Sequence, residues 1–232
     1  MKIQKNLAAL AACTLVLPGL AAIAIPTASH ASTIDLIVNG DFEAGDTGFS
    51  TDLSVDNTFL DAGEYSVVTD ARTVNGAFDG QGDHTTGSGN MMAINGTTSS
   101  GTLSWGQSVN VVSGTEYDLS FWMMSLFGAG STTLGISFDG TTVGTVDNIG
   151  TESGVWREFT ASWTATGTGG IDVELIELST GFVGNDYALD DISLTFTEQN
   201  NTAPVPLPAA GWLLLGGVAG LLGLGRRRRA VT

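Results

Sequence analysis

The fold is decided by residues 117–126, which read Tyr117-Asp118-Leu119-Ser120-Phe121-Trp122-Met123-Met124-Ser125-Leu126. Successive side chains of a β-strand point to opposite faces of its sheet. One face of this stretch therefore carries Tyr117, Leu119, Phe121 and Met123, and the other carries Trp122, Met124 and Leu126. A strand that is apolar on both faces is typical of the interior of a protein. We predict a central strand here, whose second face is covered by loops or by a ligand.

The residues around this stretch also follow strand patterns, and no amphipathic helix pattern is convincing. Residues 102–112 alternate with Leu103, Trp105 and Val109 on one face, and Asp139-Gly140 predicts a hairpin turn. A slip at Leu175-Ile176 indicates a β-bulge. Further strands are predicted at residues 34–38, 65–69, 90–95, 134–138, 142–146, 159–163, 171–178 and 187–197. The pattern predicts an all-β domain over residues 32–199, a jelly-roll β-sandwich of about 8–10 strands.

The N-terminus has the features of a secretory signal peptide over residues 1–31. Lys2 and Lys5 precede an apolar segment, and Ser29-His30-Ala31 places small residues at the −3 and −1 positions of a cleavage site. One alternative is a lipoprotein modified at Cys13, because Leu10-Ala11-Ala12-Cys13 matches a lipobox. The apolar run before Cys13 is short for that role, and it continues beyond Cys13.

The C-terminus has the features of a membrane segment. A polar linker at residues 200–204 leads to an uncharged stretch at 209–225, and the arginines Arg226, Arg227, Arg228 and Arg229 follow. As a helix, the stretch is at the short end of what spans a bilayer. The arginines are expected to stay in the cytoplasm, so the chain before the helix lies outside the cytoplasmic membrane.

Residues 205–229 resemble the PEP-CTERM class of bacterial sorting signals, in its VPLPA-CTERM variant. The motif residues are Val205, Pro206, Leu207, Pro208 and Ala209, followed by the helix and the arginine cluster. The resemblance implies recognition by an exosortase, a membrane-embedded protease or transpeptidase. It also implies export across the cytoplasmic membrane of a Gram-negative bacterium, transient anchoring, and transfer to the cell surface or extracellular matrix. A permanent single-pass anchor is the alternative.

The charge distribution excludes one class of partner. Outside the two terminal segments the only basic residues are Arg72 and Arg157, against 24 acidic residues, a formal charge of −22. Nucleic acid binding needs lysine and arginine for the phosphates, so this domain does not bind nucleic acid. Adaptation to a saline medium and bound divalent cations are both compatible with so acidic a body.

Several reaction classes are also excluded. Cys13 is the only cysteine and lies in the signal peptide, and His84 is the only histidine of the exported domain. A Cys–His nucleophile pair or a zinc site with several histidines is therefore absent. We interpret His84 as a loop residue at the surface. An Asp79-Gly80-Gln81-Gly82-Asp83 run superficially resembles a calcium loop, but Asn90 stands where an EF-hand needs glutamate.

A second resemblance covers roughly residues 34–197. Ile37-Val38-Asn39-Gly40-Asp41-Phe42-Glu43 and Leu189-Asp190-Asp191-Ile192-Ser193-Leu194 resemble the first and last strands of galactose-binding-like β-sandwiches, which include carbohydrate-binding modules. Residues 113–122 resemble the central hairpin of those modules. Phe49 stands near a position where many of them have a tryptophan.

The resemblance implies a structural calcium ion that ties the first strand to the last. The matching carboxylates are Glu43 and Asp190, with Asp191 beside them. Asp190 shares strand parity with Ile192 and Leu194, so we expect it to point inward, where an unpaired carboxylate is costly. Calcium, with its preference for oxygen ligands, is one solution. The alternative is an aspartate that caps backbone N–H groups.

The candidate ligand-binding residues are aromatic. Sugar rings stack their C–H faces on indole and phenol rings, and Trp122 is the best candidate, followed by Trp156 and Tyr187. Core packing is the alternative for each. The sequence thus favours a non-catalytic β-sandwich that binds carbohydrate. A purely structural surface protein and, less favoured, a glycan-active enzyme are the alternatives.

The sorting hypothesis makes a prediction about the exported form. Mass spectrometry of protein from the cell surface or medium should find a C-terminus between residues 205 and 211. An intact Arg226–Arg229 cluster in all exported protein would leave only the permanent anchor.

Overall fold

The structure is a computed structural model that describes residues 31–128, 131–147 and 152–199. The described part is almost wholly β, with one short 3₁₀ helix at Ala71–Thr73. Its eleven strands are β1 (Ala31–Asp35), β2 (Ser54–Val55), β3 (Glu64–Val68), β4 (Met91–Asn95), β5 (Thr102–Val111), β6 (Glu116–Ser125), β7 (Thr133–Phe138), β8 (Thr141–Asp147), β9 (Arg157–Thr164), β10 (Gly169–Glu177) and β11 (Tyr187–Gln199).

The strands form two sheets. The larger sheet has seven strands in the order β2-β3-β4-β11-β6-β9, with β1 also paired to β11. The smaller sheet has the order β5-β10-β7-β8. All pairs are antiparallel except β2 with β3, and β6 lies between β11 and β9, as expected for a strand that is apolar on both faces.

The last strand organises the larger sheet because three strands pair with it. Along one edge β11 pairs with β6, and along the other it pairs with β4 at its start and β1 at its end. The gap between β4 and β1 is filled by the loop that follows β1. There the Ile192 N–H donates to the Gly40 carbonyl at 2.9 Å. At the end of β1, Asp35 Oδ1 accepts from the Leu194 N–H at 3.0 Å.

The main core lies between the sheets. The larger sheet contributes Leu119, Phe121, Met123, Leu189 and Leu194, and the smaller contributes Trp105, Val109, Leu134, Ile136, Phe138, Val173 and Leu175. The Tyr117 hydroxyl accepts a hydrogen bond from the Val112 N–H at 2.9 Å and so fixes the connection between β5 and β6. Burial of this apolar surface is the main favourable contribution to folding.

A second apolar cluster covers the outer face of the larger sheet. Leu60, between β2 and β3, and Val74 and Phe78, from the long segment between β3 and β4, pack over Met91 and Met124 of the sheet. The sequence predicts that loops or a ligand cover the second face of β6. At Met124 and Leu126 this cover is provided by loop residues of the second cluster. The segment between β3 and β4 also brings the loop around His84 onto the sheet.

The structure confirms the all-β prediction and shows the two sheets of a sandwich. It adds β2, whose two residues are too few to produce a sequence pattern. The Asp139-Gly140 turn is confirmed between β7 and β8, with positive φ at both residues. The bulge at Leu175-Ile176 is also confirmed.

The expected central hairpin at residues 113–122 is wrong. β5 and β6 belong to different sheets, so the turn at Gly114 carries the chain across the sandwich. The reason is that Val111 and Tyr117 face the same core from opposite sides. Sequence spacing alone does not distinguish such a crossover from a hairpin.

The terminal predictions lie outside the described residues. These are the signal peptide at 1–31, apart from Ala31, the linker at 200–204, and the sorting signal at 205–229 with its helix and arginines. In the portion that is described, no helix has the length and apolar character needed to cross a membrane.

The contact of Gly40 with β11 makes a prediction about stability. A Cβ built on Gly40 lies 1.8 Å from the Ile192 carbonyl oxygen, whereas one built on Gly144 meets nothing within 4 Å. We expect Gly40→Ala to lower the free energy of unfolding by about 1–3 kcal/mol, as overpacking does. The matched control Gly144→Ala should change it by less than about 1 kcal/mol. Urea unfolding of the two variants measures both, and equal costs would contradict the close approach.

Candidate functional site

A polar cleft of about 430 Å³ lies where the loop after β1 meets the outer face of the larger sheet. We call it the Trp122 cleft. Its lining consists of Asp35, Ile37, Asn39, Gly40, Asp41, Ser120, Trp122, Asp191, Ile192 and Ser193. The residues after β1 form one wall, and residues of β6 and β11 form the floor.

The wall of the cleft is a tight turn built around Asn39. Its amide nitrogen donates to the carbonyls of Gly45 and Thr47 at 2.9 and 2.7 Å, and its amide oxygen accepts from the Ala44 N–H at 2.8 Å. Asn39 and Phe42 both have positive φ, at 57° and 55°. Such a conformation is costly for a bulky side chain, and the complete burial of Phe42 in the core maintains it.

The floor of the cleft contains a bulge in β11 at Asp190 and Asp191. The register with β6 shifts between Asp190 and Ser193, and Asp191 has a φ of 48°. Asp190 therefore lies opposite Trp122 on the outer face. The expectation that Asp190 shares a face with Ile192 is wrong, because the bulge resets the alternation.

Trp122 is half-buried and stacks face to face on His84. The ring centroids are 3.6 Å apart and the planes differ by 13°. His84 Nδ1 lies 2.6 Å from Asp191 Oδ2, and Thr85 Oγ1 donates to Asp191 Oδ1 at 2.7 Å. The imidazole is thus held by a carboxylate while it covers one face of the indole. This leaves the Trp122 ring fixed at the floor of the cleft.

The two other predicted ligand-binding aromatics are in different environments. Trp156 is half-buried, donates its Nε1–H to the Gly82 carbonyl at 2.9 Å, and lies edge-on to His84. Tyr187 is completely buried in the main core, where its hydroxyl lies 2.6 Å from Ser104 Oγ. The structure therefore brings Trp122 and Trp156 together around His84, and it gives Tyr187 no exposed face.

Of the three predicted calcium carboxylates, Asp191 lines the cleft, whereas Asp190 and Glu43 do not. Asp190 is completely buried, and Oδ2 accepts from the His84 N–H at 2.7 Å. Burial raises the pKa of Asp190 to about 7, against the hydrogen bonds from His84 and Asp191. Glu43 is exposed, and Oε1 accepts from the Asn90 N–H at 2.7 Å. Asp191, the third predicted ligand, is bound to His84 instead.

Asp83 joins this group of carboxylates. It is 3% exposed and accepts hydrogen bonds from the backbone of Thr86 and Gly89. A Cβ on Gly89 lies 2.0 Å from Glu43 Oε1 and 3.0 Å from Asp83 Oδ2, so the two carboxylates are close neighbours. The described residues contain no group of three histidine, cysteine, aspartate or glutamate side chains arranged to hold a metal ion. A calcium ion here would need backbone carbonyls and water to complete its ligands.

Two features of the site escaped the sequence analysis. The sequence interpretation places His84 on a surface loop and assigns no ligand role to Asp83, because nothing local to residues 79–90 reveals that the loop folds onto β6 and β11. The bulge did leave a signal, since Tyr187, Leu189, Ile192 and Leu194 are spaced by two, three and two residues. The odd step breaks the period of two and predicts a bulge.

Comparisons with known proteins support the fold. No protein-family model matches the chain, and no curated protein matches it. The Stig cyclase Fisc from Fischerella sp. TAU, in complex with (3Z)-3-(1-methyl-2-pyrrolidinylidene)-3H-indole, is similar with a TM-score of 0.52 at 14% identity, over 72% of this chain and 99% of that chain. A cyclase from Fischerella sp. TAU in complex with 4-(1H-indol-3-yl)butan-2-one gives a TM-score of 0.52 at 15% identity, over 73% of this chain and 100% of that chain.

A carbohydrate-binding protein is also among the similar structures. The second family 16 carbohydrate-binding module has 21% identity and a TM-score of 0.39, over 68% of this chain and 98% of that chain. Identities this low indicate a shared fold at most, and a TM-score of 0.39 is too low to support an argument. The two cyclases therefore share the fold of this chain, and they establish no activity for it.

The calcium hypothesis remains a prediction with a direct test. Binding to the native state alone adds about 2.7 kcal/mol of stability at a hundredfold excess over Kd. A chelator should therefore lower the melting temperature of the 31–199 fragment. Glu43→Gln keeps the hydrogen-bond acceptor but removes the charge, and it should weaken the response, whereas Asp190→Ala should abolish it. Equal stabilisation by sodium chloride at matched ionic strength would indicate charge screening alone.

Proposed function

We propose that this chain is an exported surface or matrix protein whose β-sandwich binds a neutral polysaccharide without catalysis. The observation that supports the proposal most strongly is the half-buried Trp122 ring in a polar cleft, held in place by His84. An indole fixed by its surroundings loses little conformational entropy when a sugar ring stacks on it.

The groups beside the ring suit hydroxyl-rich ligands. The Ser120 and Ser193 hydroxyls lie 2.9 Å from each other, and both line the cleft. Asp35 and Asp41 in the opposite wall are exposed carboxylates that accept hydrogen bonds. A sugar offers hydroxyl donors to these carboxylates and an apolar C–H face to the indole.

Charge limits which polysaccharides fit. Among the described residues, the lining contains three carboxylates and no lysine, arginine or histidine. An anionic polysaccharide would be repelled by this cleft and by a body with two basic and 24 acidic residues, unless divalent cations bridged the two. Neutral glycans avoid this cost.

A glycan-active enzyme and a purely structural protein are the alternatives. Similarity to cyclases at 14–15% identity transfers no reaction. In a domain with 24 acidic residues, some carboxylates lie close to each other by chance. A carboxylate pair is therefore weak support for glycosidase chemistry. A structural protein is favoured if no glycan binds.

Export and sorting complete the proposal. It rests on the N-terminal signal pattern and the tail at 205–229, and it gives the domain contact with extracellular glycans. A single structural calcium ion near Glu43 and Asp190 fits the same location, because it would join the wall of the cleft to its floor.

A glycan array with the 31–199 fragment tests the function. We use this fragment because these residues form a compact unit of their own. Neutral glycans should be retained and acidic ones should not. For the best glycan, Trp122→Ala should lower affinity at least about tenfold, or 1.4 kcal/mol.

The stability of the variant is the necessary control. Because the Trp122 ring is half-buried, Trp122→Ala should cost less than the roughly 3–5 kcal/mol of a core tryptophan. Phe182→Ala, at a side chain that is 76% exposed and outside the cleft, should leave glycan affinity unchanged. A large loss of stability with unchanged binding per folded molecule would reject the site and favour the structural alternative.

A further inference from the structure

A second cleft, of about 370 Å³, is lined by exposed aromatic side chains. It contains all three phenylalanines that are exposed among the described residues: Phe59, Phe127 and Phe182, at 54%, 39% and 76% exposure. Val183, at 70%, lies beside them. We call this site the phenylalanine cleft. Apolar side chains that are exposed together around one concavity, rather than scattered, indicate a binding surface.

The phenylalanine cleft also contains two carboxylates. Asp61 is exposed at its rim, and Asp186 is 7% exposed in its lining. Burial raises the pKa of Asp186 to about 6, against the lowering effect of the Gly96 and Asp186 backbone N–H groups. Glu177, which is completely buried, adds a like charge nearby. No lysine, arginine or histidine is among the described residues that line the cleft.

We propose that the phenylalanine cleft binds organic ammonium ions, that is, molecules with a hydrophobic ring or chain and a protonated amine. The phenylalanine rings would cover the hydrocarbon part of such a ligand, and their faces attract a cation. The ammonium group would pair with Asp186, which has no cationic partner among the described residues. The size of the cleft suits a ligand of one or two rings.

Ligands of other charge fit less well. A carboxylate ligand is repelled by Asp61, Asp186 and Glu177. A neutral apolar ligand gains contact with the rings but leaves the buried Asp186 carboxylate without a counter-ion. This site is separate from the Trp122 cleft, so its occupancy does not depend on glycan binding.

The test uses three probes of similar shape: 2-phenylethylamine, 2-phenylethanol and 3-phenylpropanoate. Titration into the ¹⁵N-labelled 31–199 fragment at pH 7.5 should shift amide signals of residues 59–62 and 182–186. Affinity should follow the order amine, alcohol, carboxylate, with about a tenfold preference for the amine over the alcohol. Phe182→Ala should weaken both the amine and the alcohol, whereas Trp122→Ala should weaken neither.

Substitution of the carboxylate separates a specific pair from general attraction to an acidic protein. Asp186→Asn should remove most of the preference for the amine. Asp139→Asn changes the net charge equally at an exposed turn far in sequence from the cleft, and it should preserve the preference.

Three results would overturn the proposal. One is equal affinity for the three probes, and another is equal loss of amine preference in Asp186→Asn and Asp139→Asn. The third is self-association of the fragment that Phe182→Ala abolishes while the amine fails to bind, which would assign the surface to a contact between copies.

Discussion

The structure depends on the contact between the loop after the first strand and the bulge of the last strand. The hydrogen bond from the Ile192 N–H to the Gly40 carbonyl lies beside β11, in the gap between β4 and β1. A side chain at position 40 would collide with Ile192, so only glycine permits the approach. The same contact joins the wall and floor of the Trp122 cleft, and Glu43 in the loop after β1 is a close neighbour of Asp83. Three of the four positive-φ residues other than glycine in the described chain, Asn39, Phe42 and Asp191, lie at this junction. Strain concentrated at one place is often found where a protein binds a ligand.

Charge is the second constraint. With only Arg72 and Arg157 as cations outside the terminal segments, carboxylates of this domain have few ionic partners of their own. The buried ones are stabilised by N–H and O–H donors instead. Glu177, for example, accepts from the Thr97 N–H, the Ser179 hydroxyl and the Asn185 amide, yet burial raises its pKa. Compared with the unfolded state, the folded state therefore favours the protonated forms of Glu177 and Asp186. The stability that this gives is fully present below their unfolded-state pKa values, and it is lost as the pH rises through their folded-state pKa values. Ligands that bring positive charge would relieve this cost, and for that reason we propose calcium and organic cations as ligands.

Most of the fold could be predicted from the sequence, because it depends on local alternation. The apolar pattern of residues 117–126 identified the central strand, and Asp139-Gly140 identified the hairpin turn between β7 and β8. Both signals are contained within a few neighbouring residues. The candidate site could be predicted less completely from the sequence. Trp122 could be selected from its strand face, but its partner His84 comes from a loop that contacts β6 only after the chain folds. The assignment of Asp190 to the inner face failed because one bulge residue, Asp191, reverses the alternation. Tyr187 is a candidate from its aromatic side chain, and only the packing in the structure shows that it is enclosed in the core.

The central claim is that glycan binding occurs on Trp122, and the four tryptophan indole N–H signals of the 31–199 fragment test it most directly. Trp122, Trp156, Trp105 and Trp163 each give one such signal in a ¹⁵N-labelled sample. On titration with the neutral oligosaccharide that binds best, the account predicts the largest shift at Trp122. It predicts a smaller shift at Trp156, which contacts the same histidine, and none at Trp105, which is completely buried. Saturable binding that leaves the Trp122 signal unchanged would contradict the account.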